Sequence, residues 1–148
     1  MKPALALMLI LAVALSGCPA GAPTSKATTP TTTATTATTA TGTSLTAGQL
    51  SAAGQVVFAS NCAGCHGANG QGVTAPAVIG ATANLVKYST AQGLFDYVKT
   101  TMPANAPGSL STQQYLQVTA HILLQNNYVT GNTPLDTSNL GGVPLTRS

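Results

Sequence analysis

Two cysteines and a histidine stand together at Cys62-Ala63-Gly64-Cys65-His66. Their types and spacing suit one chemistry. Paired thiols separated by two residues can add across two vinyl groups and become thioethers. A histidine next in the chain can then swing beneath the ring and give an iron its proximal nitrogen. C-x-x-C-H is the attachment pattern of a c-type haem. Two rival uses of the thiols fit less well. A thioredoxin-like redox pair needs a βαβ setting, and no such pattern surrounds this one. A structural zinc needs four ligands, and only the distant His121 is left to complete a set. One covalent haem c, held by Cys62 and Cys65 with His66 on the iron, is therefore expected.

The second axial ligand follows by elimination. Once an N-terminal leader carrying Met1 and Met8 is removed, Met102 is the only methionine, and His66 and His121 are the only histidines. The distal position falls to Met102, to His121, to a lysine or to nothing. Met102 lies between two expected helices, in a loop stiffened by Pro103 and Pro107. A lone methionine is more often core filler, but a polar Pro/Gly loop is a poor place for filler. His121 sits inside a helix beside Ile122, as a packed or surface histidine would. The metal ligands expected are His66 and Met102.

Three helices must position these residues. Thr46 and Gln49 form a T-x-x-Q capping box at the start of a helix from about Ala47 to Asn61. Leu50, Ala53, Gly54, Val57 and Phe58 recur there at helical spacing. Gly54, Phe58 and Cys62 share one stripe, and Gly54 leaves room on it for a close neighbour. A second helix spans about Thr90 to Thr101, where Asp96 and Lys99 are placed to pair. Met102-Pro103 ends it. A third spans about Thr112 to Asn126 behind a second capping box, Ser111 with Gln114. Tyr115, Val118 and Ile122 line one face. The Gly-, Ala- and Pro-rich stretch from Gly67 to Leu85 shows no strand alternation, so the reading is all-α.

The 148-residue chain does not fold as one piece on this reading. Met1-Lys2-Pro3 and the apolar run Ala4 to Leu15 form a charged segment and a hydrophobic segment of a leader. The run is too short for a permanent span, which needs ~20 residues. Leu15-Ser16-Gly17-Cys18 resembles the bacterial lipobox, which implies a signal peptide at 1–17 and lipid on Cys18. An ordinary signal peptide cut nearby would instead release the protein. From Thr24 to Thr46 there are thirteen threonines with little else but alanine and proline. Such a tract cannot bury a core and reads as a disordered linker over 18–45, open to glycosylation. A tether of about 27 residues averages ~30 Å end to end and reaches ~85–90 Å at full stretch. The folded domain is set at 46–131, with an irregular tail at 132–148.

Charge excludes several function classes. The formal net charge is +3, and from 45 to 131 the only charged side chains are Lys87, Asp96 and Lys99. No basic patch suits a nucleic acid, and no strong field steers a charged partner. The expected docking surface is apolar and rich in small residues around a haem edge. With no tryptophan and few aromatics, a domain of this size has a thin core, and a covalent haem supplies the staple that thin cores need.

These residues resemble a class I monohaem cytochrome c over about 47–126. Gly54-x-x-x-Phe58-x-x-x-Cys62 is similar to that family's first helix, whose glycine packs on its last helix. Cys62 to Gly67 is its haem motif. Ala75-Pro76-Ala77-Val78-Ile79-Gly80 resembles the loop whose proline carbonyl accepts a hydrogen bond from the proximal histidine. The resemblance thus implies that Pro76 orients His66 from behind. Leu94 to Pro103, then Ala106 to Ser111, then Tyr115 to Asn126, resemble cytochromes that serve periplasmic dehydrogenases for alcohols, sulfite or thiosulfate as subunits or fused domains. Pro134-Leu135 and Pro144 loosely resemble the extension some of these carry. One departure is Ala120-His121, where the family has alanine followed by tyrosine or phenylalanine. His121 is expected to pack in that aromatic's place, and its ring brings a charge that titrates near neutral pH.

The resemblance implies a small cytochrome c fold of three to four helices around a covalent haem. It implies a one-electron carrier, not an enzyme, with His/Met ligation, exported and lipid-anchored facing the periplasm or cell exterior. Partners would be a donor dehydrogenase or cytochrome complex and an acceptor oxidase or cytochrome, with the membrane reached through the lipid. Two alternatives stand beside it: a permanently docked dehydrogenase subunit, and a haem sensor or enzyme with an open distal site.

Overall fold

The computed structural model describes residues 44–146. The expected signal peptide, Cys18 and nearly all of the threonine tract lie outside the described residues.

Among the described residues four α-helices appear in order: α1 (Ala47–Asn61), α2 (Ala63–His66), α3 (Ala91–Thr101) and α4 (Thr112–Gln125). Short 3-10 turns form at Val86–Tyr88 and Leu140–Gly142. Among the described residues no strand forms, and the sheet-like contacts are isolated bridges. Both capping boxes are made. At α1 the Gln49 N–H donates to Thr46 Oγ1 at 3.3 Å, and the Thr46 N–H donates to Gln49 Oε1 at 2.9 Å. At α4 the Ser111–Gln114 pair does the same at 3.2 and 2.9 Å. Each cap is worth about 1 kcal/mol against alanine. Thr90 proves to be the cap of α3, not its first residue, accepting from the Gly93 N–H at 3.3 Å. The single turn of α2 was not anticipated as a separate element.

The pairing expected between Asp96 and Lys99 does not form. Asp96 accepts from Gln92 Nε2 at 2.9 Å, and the Lys99 ammonium lies 5.7 Å over the Phe95 ring. On an exposed helix face an ion pair is worth only a few tenths of a kcal/mol, so an aromatic face and a neutral amide can outbid it.

Helices α1 and α4 cross at Gly54. A Cβ placed there would drive into the Gln117 carbonyl and lie 3.0 Å from His121 Cβ. Close approach buries Leu50, Val57 and Phe58 of α1 and Tyr115, Val118, Ile122 and Leu123 of α4 in one core. His121 is buried with its ring centroid 5.6 Å from that of Phe58, tilted by 47°. It lies in the helix crossing, between α1 and the body of α4.

The segment after 131 is irregular but not peripheral. Leu135, Leu140 and Leu145 are each at most 1% exposed and belong to the same core. The edge set at 131 therefore cuts through packed structure. This segment also makes two matching clips. At the first, the Ala47 N–H donates to Thr133 O at 2.7 Å and the Leu135 N–H to Leu45 O at 2.9 Å. At the second, the Ala91 N–H donates to Val143 O and the Leu145 N–H to Ser89 O, both at 2.9 Å. Thr46 faces Pro134 in one bridge and Thr90 faces Pro144 in the other. The first N–H groups of a helix have no partner within it, and here the C-terminal segment supplies carbonyls to the starts of α1 and α3.

Candidate functional site

Cys62 joins two helices. Its N–H closes α1 on Phe58 O at 2.8 Å, and its carbonyl accepts from the N–H groups of Cys65 at 3.2 Å and His66 at 2.9 Å. The motif is thereby wound into the turn of α2, where positions three apart are neighbours on the helix surface. Cys62 is half-buried, Cys65 is exposed, and both thiols are free. Burial pushes the Cys62 thiol up to about 11.

The next segment folds back on the motif. The Gly72 N–H donates to His66 O at 2.6 Å, and the N–H groups of Val73, Thr74 and Ala75 converge on Cys65 O at 3.2, 3.1 and 3.0 Å. This hairpin needs glycine at Gly72, with φ of 86° and a would-be Cβ 2.8 Å from Ala77 N. The fold-back brings Pro76 to the histidine: His66 Nδ1 and Pro76 O are 2.7 Å apart. A carbonyl only accepts, so Nδ1 carries the hydrogen and the lone pair is left on Nε2.

Met102 caps α3, its N–H on Val98 O at 3.0 Å, and packs half-buried against the core. Its own carbonyl accepts from the Tyr115 hydroxyl at 2.7 Å. At the other end of α4, Asn126 Nδ2 donates to Val78 O at 2.9 Å, and the Gly80 N–H donates to Asn126 Oδ1 at 3.0 Å. Tyr115 and Asn126 are about three turns apart on one face of the helix. A single helix thus ties down both the loop that carries Met102 and the loop that follows Pro76. The sequence places Tyr115 on an apolar helix face and Asn126 at the helix end, both within a stretch that resembles dehydrogenase-linked cytochromes, and assigns neither a polar partner. The signal was present in their types, since a tyrosine or asparagine placed among core residues needs a polar partner.

His121 lies in the crossing of α1 and α4, against Phe58. Its Nδ1 lies 3.2 Å from Ser51 Oγ, and burial pushes its pKa below the usual histidine value, partly countered by the Ser51 backbone.

The residues present fit a covalent haem. They offer two free thiols on adjacent turns, an imidazole whose Nε2 is free to bind iron, and a thioether. Cys62 and Met102 pack against the core half-buried, as do the apolar side chains of Ala63, Val78, Tyr88 and Leu110. Among the described residues no three His, Cys, Asp or Glu side chains converge into a metal cluster of their own.

Residues 49–122, half of the chain, match the family described as cytochrome C oxidase, cbb3-type, subunit III. The chain belongs to the cytochrome c family. Its fold is the all-α cytochrome c fold, and its cofactor is a covalently bound haem c. Among solved structures it is similar to the sulfane dehydrogenase SoxCD from Paracoccus pantotrophus, with 27% identity, a TM-score of 0.56, and coverage of 70% of this chain and 60% of that one. It also matches the thiosulfate dehydrogenase TsdBA from Marichromatium purpuratum at 26% identity and a TM-score of 0.41, over 48% of this chain and 17% of that one. A third match is cytochrome cL from Hyphomicrobium denitrificans, at 18% identity and a TM-score of 0.45, over 64% of this chain and 65% of that one. The chain thus spans less than two thirds of the length of each. No functionally curated protein matches it. A cytochrome c domain serves electron transfer between redox partners. No helix among the described residues is long and apolar enough to cross a membrane.

Proposed function

We propose that this protein is a tethered one-electron carrier with His66 and Met102 as axial ligands and thioethers at Cys62 and Cys65. The observation that carries the reading is the 2.7 Å hydrogen bond from His66 Nδ1 to Pro76 O, which commits one ring nitrogen and frees the other. The haem, when bound, supplies an iron that takes one electron from a donor and returns one to an acceptor. The chain's part is to hold its ligands still. Pro76 fixes the plane of the imidazole and its tautomer. Met102, as a soft thioether donor, raises the potential relative to a second histidine. With His66 and Met102 both holding the iron, a substrate would find no open position at the metal, which favours a carrier over a sensor or enzyme. Cys18 carries the lipid, and the threonine tract gives the domain reach from an exported membrane face to a donor dehydrogenase or cytochrome complex and an acceptor oxidase or cytochrome.

The deciding experiment compares wild type with Met102→Ala. The variant keeps covalent haem but loses the weak red charge-transfer band of the sulfur–iron bond, and its ferrous form binds carbon monoxide at once. An unchanged spectrum would sink Met102 as ligand. Cys18→Ser is expected to move the protein from the membrane fraction to a soluble or unprocessed form. Deleting most of Thr24 to Thr43 should leave the haem spectrum intact and slow electron transfer to a membrane partner.

A second reading is favoured by the likeness to SoxCD: the domain stays docked on a dehydrogenase. Detergent extraction under mild conditions followed by size separation distinguishes them. A free carrier migrates alone, and a docked one travels with a larger redox protein.

A further inference from the structure

The loop between α3 and α4 stands away from the protein body. Residues 104–109 are all exposed. Its own backbone bonds are short-range turns, Ala106 N–H to Pro103 O at 2.8 Å and Ser109 N–H to Ala106 O at 3.2 Å. One side chain fastens both of its ends. The Tyr115 hydroxyl donates to Met102 O at 2.7 Å and accepts from the Leu110 N–H at 3.4 Å. The ring itself is 1% exposed, set in the core one turn into α4.

A phenylalanine would fill that core space equally well and would bury no hydroxyl. The hydroxyl is therefore not there for packing, and its two partners say what it does. It bridges the first and last residues of the loop and pins the main chain from which the Met102 side chain extends.

We propose that Tyr115 is a positioning residue that keeps the Met102 sulfur on the iron by closing its loop from both ends. The proposal rests on the reading of Met102 as distal ligand. Its function is to lower the fraction of molecules in which the loop has lifted and the distal position is open. Two hydrogen bonds of ~1 kcal/mol each are at stake, which corresponds to a change of roughly 5- to 30-fold in that fraction. A thioether that spends more time away from the iron also stabilises the reduced state less, so loosening the loop lowers the midpoint potential.

Carbon monoxide binding to the ferrous holoprotein reads the open fraction directly, because the gas reaches the iron only when the sulfur has left. Four holoproteins are compared: wild type, Tyr115→Phe, Met102→Ala and Leu145→Ala. The last loses core packing far from this loop in sequence and controls for lowered stability. Tyr115→Phe is expected to bind carbon monoxide roughly 5- to 30-fold faster than wild type, with a lower potential and the red band still present. Leu145→Ala is expected to melt earlier yet bind the gas at the wild-type rate. A Tyr115→Phe rate equal to that of wild type, or no faster than that of Leu145→Ala, overturns the positioning role while leaving the ligand intact. A Met102→Ala protein that binds no faster than wild type instead overturns the ligand reading itself.

Discussion

His121 Nδ1 and Ser51 Oγ, 3.2 Å apart, form a polar contact inside an otherwise apolar helix crossing. The ring also packs on Phe58, so the imidazole serves where a larger aromatic would serve by shape alone. Burial holds its pKa below the unfolded value of 6.5. The unfolded chain then binds the proton more readily than the folded one, so this contribution is complete above the unfolded pKa and lost as pH falls through the folded pKa. The melting temperature of the holoprotein is expected to fall on acidification below about pH 6.5, and His121→Phe is expected to flatten that slope. Equal slopes in the two proteins would remove His121 as the cause.

Removing the last clip tests whether the C-terminal segment is structural. Leu145→Ala deletes a side chain that is 1% exposed, and buried leucine-to-alanine changes cost about 2–5 kcal/mol. Truncation after Gly142 adds the loss of the carbonyl that receives the Ala91 N–H. Thermal melts should drop by roughly 10 °C or more for a domain of this size. A truncated protein that melts with wild type would restore the sequence-based boundary at 131.

Gly54→Ala sets two effects against each other. Alanine is the better helix former by ~1 kcal/mol. Its methyl, however, meets the Gln117 carbonyl, a backbone atom that cannot rotate away. Forcing α1 and α4 apart strains a packed core and costs about 1–3 kcal/mol or more. Net destabilisation in denaturant titration is the expected outcome, and a stabilised variant would show that the crossing is loose.

Thr119 is fully buried, and its hydroxyl has no hydrogen-bond partner. Thr119→Val keeps the shape and removes the uncompensated oxygen, so it should raise stability by about 1 kcal/mol, within the cost range for an unsatisfied buried group. A loss of that size in the denaturant midpoint would mean that the hydroxyl is satisfied in the holoprotein.

What the sequence disclosed depended on how local the cause was. Both capping boxes close within four residues, and α1, α3 and α4 begin within a residue of their expected starts. The motif at 62–66 and the lone Met102 were legible because residue type and scarcity alone single them out. The C-terminal segment was not. Leu135, Leu140 and Leu145 fall at five-residue intervals, which match neither a helix nor a strand, and their hydrogen bonds reach helix starts far away in the chain. Tyr115 and Asn126 hid for the same reason: their partners Met102, Leu110, Val78 and Gly80 are brought to them only by the finished fold.

The two Pro-Leu clips also bear on timing. In a chain made from its N-terminus, Cys62 to His66 emerges well before Leu145. Until residues 131–145 arrive, α1 and α3 lack the carbonyls that receive their first N–H groups, and the core lacks three of its leucines. The thiols are consequently presented on a chain whose core is not yet complete. Completion of the core thus waits on residues 131–145, and the interval before they join would be one in which a bulky macrocycle can be brought to both cysteines.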